Sequence, residues 1–205
     1  MPTIKKEHVM GQIKSALELA LERTADIKSD KSSIEIKETK DYGKRSASQY
    51  LSGELDDEAF KKRLKEQAKE KIKWFTEGCF ETFSANMTLP SAEGFEAGLE
   101  KIHGGLLILI PEKKAIDQMF GQVTQFFSQY LENRTNIEEQ LTAQYEPVLR
   151  RKEQELSRQT GSEIRLSPMQ DPEFVKQYQR HIGQLEKQYS DVLSQAKTQM
   201  KEMIE

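Results

Sequence analysis

The chain has 205 residues, 36% of them hydrophobic and 32% charged, with 31 Lys and Arg against 34 Asp and Glu for a net charge of −3. Ordinary globular domains run at about 45–50% apolar and about 25% charged, so this chain has little apolar material to spare. No stretch reaches the roughly 18 consecutive apolar residues of a membrane span, Cys79 has no second cysteine to pair with, and near-balanced charge gives no strong nucleic-acid signal.

Residues 1–24 hold Lys5 and Lys6, but Glu7, His8, Lys14, Glu18 and Glu22 interrupt any signal-peptide core. A cytoplasmic protein is the expectation. Val9, Ile13, Leu17, Ala20, Thr24 and Ile27 recur every three or four residues, which predicts a helix over about residues 5–28. Residues 29–50 are more polar. Ile34 and Ile36 alternate as a strand would, yet Ile34, Glu38, Tyr42, Ala47 and Leu51 fit a second helix, which is the preferred reading. Six bases against four acids between Lys28 and Arg45 give this stretch a mild basic bias.

Ser52-Gly53-Glu54 breaks the pattern, and Asp56 or Asp57 caps the next helix. The spacing of Phe60, Leu64, Ala68, Ile72, Phe75 and Cys79 predicts one apolar face along it. Residues 50–67, YLSGELDDEAFKKRLKEQ, resemble the small helix-turn-helix elements of many bacterial proteins, which implies a turn at the glycine and no particular activity. Residues 86–91, NMTLPS, mark a joint: Pro90 disfavours helix at Leu89, and Ser91 is placed to cap a new one. It divides the chain into an N-terminal helical region of about three helices (1–86) and a C-terminal region (91–205).

Residues 104–110, GGLLILI, form the most hydrophobic run. With no partner strands in view, a lone strand leaves its ladder groups unpaired, so the end of a buried helix is expected rather than a strand. From Ile116 onward, Phe120, Val123, Phe127, Tyr130, Arg134, Ile137, Leu141, Gln144 and Val148 alternate spacings of four and three, a heptad seam with Arg134 and Gln144 as polar members. A helix from Lys113 to Thr160 is about 72 Å long, against roughly 43 Å for a compact globule of this length. Pro147 predicts a kink or two abutting helices.

Gly161 closes that segment, and Asp171-Pro172 opens the last helix. Its seam is Tyr178, Ile182, Leu185, Tyr189, Val192, Ala196, Met200 and Met203. Two long helices joined by a short loop predict an antiparallel hairpin. In that register Val148–Leu156 faces Tyr178–Leu185, and Met200–Met203 reaches Gln129–Ile137. Leu141→Ala or Leu185→Ala is expected to cost about 2–5 kcal/mol, and replacing Glu153 under about 0.5 kcal/mol.

The residues that usually carry chemistry are scattered. His8, His103 and His181 sit on separate predicted helices. Glu100-x-x-His103 matches one half of a di-metal bundle motif, and it occurs once. Cys79 lies on an apolar face. The carboxylate clusters Glu138-Glu139 and Asp56-Asp57-Glu58 have no histidine beside them, and no glycine-rich phosphate loop is present. No catalytic, cofactor-binding or metal residue is assigned, and no cofactor is expected.

The fold expected is all-α, an extended helical bundle with a long antiparallel coiled-coil-like hairpin in its C-terminal half. That half resembles coiled-coil stalks and adaptors, including peripheral-stalk subunits of rotary ATPases, a likeness of spacing and composition. The function expected is a non-enzymatic scaffold or adaptor that self-associates, as a homodimer, or docks on a protein partner. The surface expected to serve it is Phe126, Phe127, Tyr130, Leu141, Tyr145, Leu149, Tyr178, Leu185 and Tyr189. The alternatives are a module binding an anionic surface, membrane or nucleic acid, through Lys-rich faces at Lys5-Lys6, Lys28–Arg45 and Lys61–Lys73, and a bundle enzyme.

Overall fold

The computed structural model describes residues 16–204, with side chains from Ser32 onward. The expectations for residues 1–15, and for the apolar face Val9–Ile27, lie outside these. Among the described residues there are six α-helices: α1 (Ala16–Ser52), α2 (Asp57–Lys65), α3 (Lys69–Asn86), α4 (Glu96–Leu109), α5 (Lys113–Thr160) and α6 (Pro172–Glu202). The described residues form an all-α bundle, and none of their helices is long and apolar enough to cross a membrane.

The two N-terminal helices expected from periodicity are one. No proline or glycine interrupts residues 16–42, so α1 runs straight through the polar stretch, and Ile34 stays 57% exposed on its surface. α3 supports the second half of α1 by running parallel to it. Glu35 pairs with Lys71, Lys40 with Glu77 at 2.8 Å and Lys44 with Glu81 at 2.7 Å, both numbers of each pair rising together. Between these ion pairs the backbones touch. A Cβ added to Gly43 would overlap the Phe75 carbonyl oxygen, and one added to Gly78 would overlap that of Lys40. Only glycine permits this approach.

Parallel neighbours need a return segment, and α2 is that segment. Gly53, at φ 83°, turns the chain, and Asp56 caps α2 by accepting from the Ala59 N–H at 2.8 Å. α2 then runs back along α1, with Arg63 donating to Gln49 at 2.7 Å and to the buried Ser46 hydroxyl at 3.1 Å. The single helix expected from Phe60 to Cys79 therefore breaks. At Gln67–Ala68 the backbone turns extended, Ala68 having ψ 147°, and α3 restarts at Lys69. Ala68 and Ile72 are exposed in consequence, while Phe60, Phe75 and Cys79 are fully buried. Tyr50 stacks on Phe60 at 4.9 Å, and Phe83 meets both rings edge-on near 6 Å.

Residues 104–110 belong to the end of α4 and its cap, as the helical reading expected. Gly105 lets the Phe83 ring lie against the helix, and Leu106 and Ile110 are buried beneath it. The joint at residues 86–91 leaves the helix at Met87, but Ser91 does not cap α4. α4 starts at Glu96, after Gly94 at φ 87°, and the Ser91 carbonyl is taken by Arg134 instead. One hydrophobic cluster crosses this joint, joining Phe60, Phe75 and Phe83 to Leu106, Ile116, Phe120, Leu193 and Met200.

α5 has the bounds the periodicity predicts and stays helical through Pro147. Its seam changes partway along. Ile116, Phe120, Val123, Phe127 and Tyr130 are buried in heptad spacing, and then Leu141, Tyr145 and Leu149 follow at intervals of four. Gln144 is exposed and Val148 only partly buried, so the buried stripe has stepped one residue along. A second, smaller cluster of Leu141, Tyr145, Leu149 and Phe174 results.

α5 and α6 pack antiparallel, in a different register from the one expected. Phe174 meets Tyr145 at 5.4 Å, Tyr189 meets Tyr130 at 5.2 Å, and Met200 lies in the cluster of Ile116 and Phe120. The connecting loop causes the shift. It folds back along the end of α5, with the Ile164 N–H donating to Ser157 Oγ at 3.0 Å and the Leu166 N–H to Glu153 Oε1 at 2.7 Å. α6 therefore begins level with Tyr145 and Lys152, not at Thr160.

Gly43→Ala should destabilise by about 1–3 kcal/mol through overpacking, whereas Gly98→Ala, whose Cβ would meet nothing within 4 Å, should stabilise by about 0.5–1 kcal/mol. In urea denaturation Leu141→Ala should cost about 2–5 kcal/mol. Glu153→Ala should cost about 0.5–1.5 kcal/mol, more than sequence alone implies, because it frees a loop N–H.

Candidate functional site

Of the nine residues expected on an interaction surface, Phe127, Tyr130, Leu141, Tyr145, Leu149 and Leu185 are buried inside the chain, and Phe126, Tyr178 and Tyr189 are partly buried. They form a ladder between α5 and α6 and the elements beneath. Phe127 packs edge-on against Phe95 at 5.5 Å, the Phe126 ring lies tilted on Tyr189 at 4.6 Å, and the Tyr189 hydroxyl accepts from Asn133 Nδ2 at 2.7 Å.

On the outer flank of this ladder lies a shallow groove of about 430 Å³ between the first half of α5 and the second half of α6. Met119, Val123, Phe126, Val192, Leu193 and Ala196 are its apolar members, and Val192 is 49% exposed. Five glutamines, Gln122, Gln125, Gln129, Gln195 and Gln199, line the rest, and no charged side chain does. Sequence reading placed Val192 and Ala196 in the helix seam. Leu193 takes the buried position, which turns Val192 outward.

The far end of the hairpin is closed by Lys152. Its ammonium donates to Asp171 Oδ2 at 2.7 Å, Glu173 Oε2 at 2.8 Å and the Tyr145 hydroxyl at 3.2 Å. Asp171 also caps α6, accepting from the Glu173 N–H at 3.0 Å. The Lys152 hydrogen bonds hold both carboxyls below their ordinary range, and these same bonds, that to Asp171 foremost, hold the ammonium above its own. Every partner here belongs to the chain, so the cluster reads as a latch.

Three further cavities, of about 520, 560 and 780 Å³, all border the non-helical strap at residues 87–95. Arg134, a polar member of the predicted seam, holds this strap by donating to the Ser91 carbonyl at 2.8 Å. On α6 the neighbouring cavity is walled by Glu186, Ser190, Leu193, Ser194 and Lys197. Burial, together with the nearby Glu186 carboxylate, raises the Tyr130 hydroxyl above its ordinary value, and burial lowers Lys197 below its own.

The scattered histidines stay scattered. His103 Nε2 lies 2.8 Å from Asp117 Oδ1, and its ring stacks on Phe120 at 4.6 Å, so its partner is on α5 and not Glu100. His181 is exposed, and His8 lies outside the described residues. No group of three or more metal-ligating side chains occurs among the described residues. Cys79 is buried, its Sγ donates to the Gly43 carbonyl at 3.2 Å, and burial pushes the thiol well up, away from the reactive thiolate. In the basic stretches Lys40 pairs with Glu77, Lys44 with Glu81 and Lys71 with Glu35.

The latch has a pH signature. Carboxyls held low in the folded state contribute stability that is complete above their ordinary pKa values and lost as pH falls through the folded ones. A lysine held high contributes stability that is complete below its ordinary pKa and lost as pH rises through the folded value. Lys152→Met should therefore lower the melting temperature by a few degrees at pH 7, and the difference from wild type should vanish well below pH 4. Calorimetry across pH checks this.

No curated protein and no solved structure matches the chain. A family model does match, over residues 61–202, from α2 through the last turn of α6 and so across the strap, the outer groove and the latch. The chain belongs to DUF6657, a family of unknown function.

Proposed function

We propose that this protein is a non-enzymatic helical scaffold that self-associates through the outer face of its α5–α6 hairpin. The observation that carries the reading is the groove around Phe126 and Val192, whose lining is apolar or amide and wholly uncharged. Two copies related by a two-fold axis bring this surface against itself. A charged patch so placed would repel its own image. Glutamine amides hold donors and acceptors together, so they pair with their symmetry mates, and Val192, Ala196 and Met119 supply apolar area that water otherwise covers. The length of α5, about 72 Å, gives such a dimer the reach of an adaptor.

The anionic-surface reading is weaker, because glutamates on the facing helix already neutralise Lys40, Lys44 and Lys71. Light scattering in line with size exclusion tests the proposal. Wild type should elute at twice the 23.7 kDa chain mass. Val192→Arg should elute as a monomer with stability within about 0.5 kcal/mol of wild type, as befits an exposed position. A wild-type monomer at high micromolar concentration, or a dimer indifferent to Val192→Arg, overturns it.

A further inference from the structure

The cavity of about 560 Å³ between the strap and the α5–α6 pair is of a size that holds a small organic molecule. It is long rather than round. Glu186, Ser190, Ser194 and Lys197 recur along one flank of α6, and the rise from Glu186 to Lys197 is about 16 Å. Met87, Leu89 and Pro90 line it from the strap, and Ser190, Leu193 and Ser194 line it from α6.

The two ends differ in charge. At one, Arg134 is engaged with the Ser91 carbonyl and with Tyr178, and the Glu186 carboxylate acts on the Tyr130 hydroxyl, so cation and anion are both present. At the other, Lys197 is the only charged residue. It is half-buried, and among the described residues it has neither an ion pair nor a hydrogen bond. A half-buried ammonium without a counter-charge loses hydration and gains nothing in exchange; the lowered pKa of Lys197 reflects that desolvation. A bound anion would supply the missing partner.

We propose that this groove binds an elongated organic monocarboxylate, its acid group on Lys197 and its apolar body along Leu193, Met87 and Leu89. One unpaired cation calls for one negative charge, which favours a carboxylate over a phosphate dianion. The apolar floor calls for a hydrocarbon body rather than a bare ion, and the far end, with Arg134 and Glu186 both present, suits a neutral or hydrogen-bonding tail. The site opens on the opposite flank of α6 from the proposed dimer face, and Leu193 borders both.

Decanoate is the probe. Titrated into the full chain and followed by calorimetry and by amide chemical shifts, it should bind saturably, with shifts at Leu89 and from Ser190 to Lys197. Decanol, which keeps the body, and inorganic phosphate, which keeps a charge, should each bind about tenfold or more weakly. Lys197→Met should weaken decanoate by about tenfold or more, and Lys197→Arg, which restores the charge, should recover most of it. Thermal melts of both variants confirm that they fold. Absence of saturable binding, equal binding of decanol, an unchanged Lys197→Met, or shifts confined to Phe126 and Val192 would each overturn the proposal.

Discussion

The backbone contact between α1 and α3 constrains most of what surrounds it. Two helices whose carbonyl oxygens lie where a neighbour's Cβ would be must carry glycine at the crossing, and Gly43 and Gly78 are those residues. Because the helices are parallel, the chain needs a return path, and the nine residues of α2 provide it. That path decides where the aromatic cluster forms. Phe60 must approach Tyr50 from the returning helix, and Phe83, carried on the far end of α3, closes over both. Tyr50 then donates to Asp57 at 2.9 Å, and burial with this carboxylate pushes its hydroxyl pKa up to about 12. α4 meets Phe83 and Tyr50 through Gly105 and Gly104, so glycine again sets the approach of one element to another.

α5 joins this glycine-built core to the hairpin. Its first turns, at Ile116, Phe120 and Val123, complete the large cluster, and its last turns, at Leu141, Tyr145 and Leu149, found the small one. Between them, the level of Arg134 is polar. An arginine partly buried there requires acceptors, and it finds them in the Ser91 carbonyl and Tyr178. The strap is thus held by the same residue that interrupts the apolar seam. Three cavities border this strap because an irregular segment wedged between cylinders leaves gaps that helix-on-helix packing would close.

Helix ends were legible wherever a local residue determines them. Gly53, Asp56, Gly161 and the Asp171-Pro172 pair act on their own backbone, and each stands where the pattern put it. What depends on distant partners was not legible. The break at Ala68 follows from α1 and α3 being parallel, which no periodicity in α2 or α3 encodes. The hairpin register follows from Glu153 and Ser157 capturing loop amides, and the outward turn of Val192 from Leu193 meeting the core. One available signal lay in Gly43 and Gly78: glycine inside an otherwise regular helix is costly unless another backbone comes close. Lys197 gave no sequence signal, since only the fold shows that it has no ion pair among the described residues.

The last turns of α6 carry two surfaces at once. With 100° between successive residues, Ser190, Ser194 and Lys197 project to one side of the buried stripe of Leu193 and Met200, and Val192, Gln195 and Gln199 project to the other. Neither flank touches the other, yet both are fixed by how Leu193 and Met200 seat in the core. A ligand that firms this seating on the strap side lowers the cost of ordering the helix for a partner on the outer side. By linkage, self-association would strengthen ligand binding by the same factor. Under the two proposals, an uncharged face and a charged groove share one helix, and the seating of Leu193 is the element through which one would act on the other.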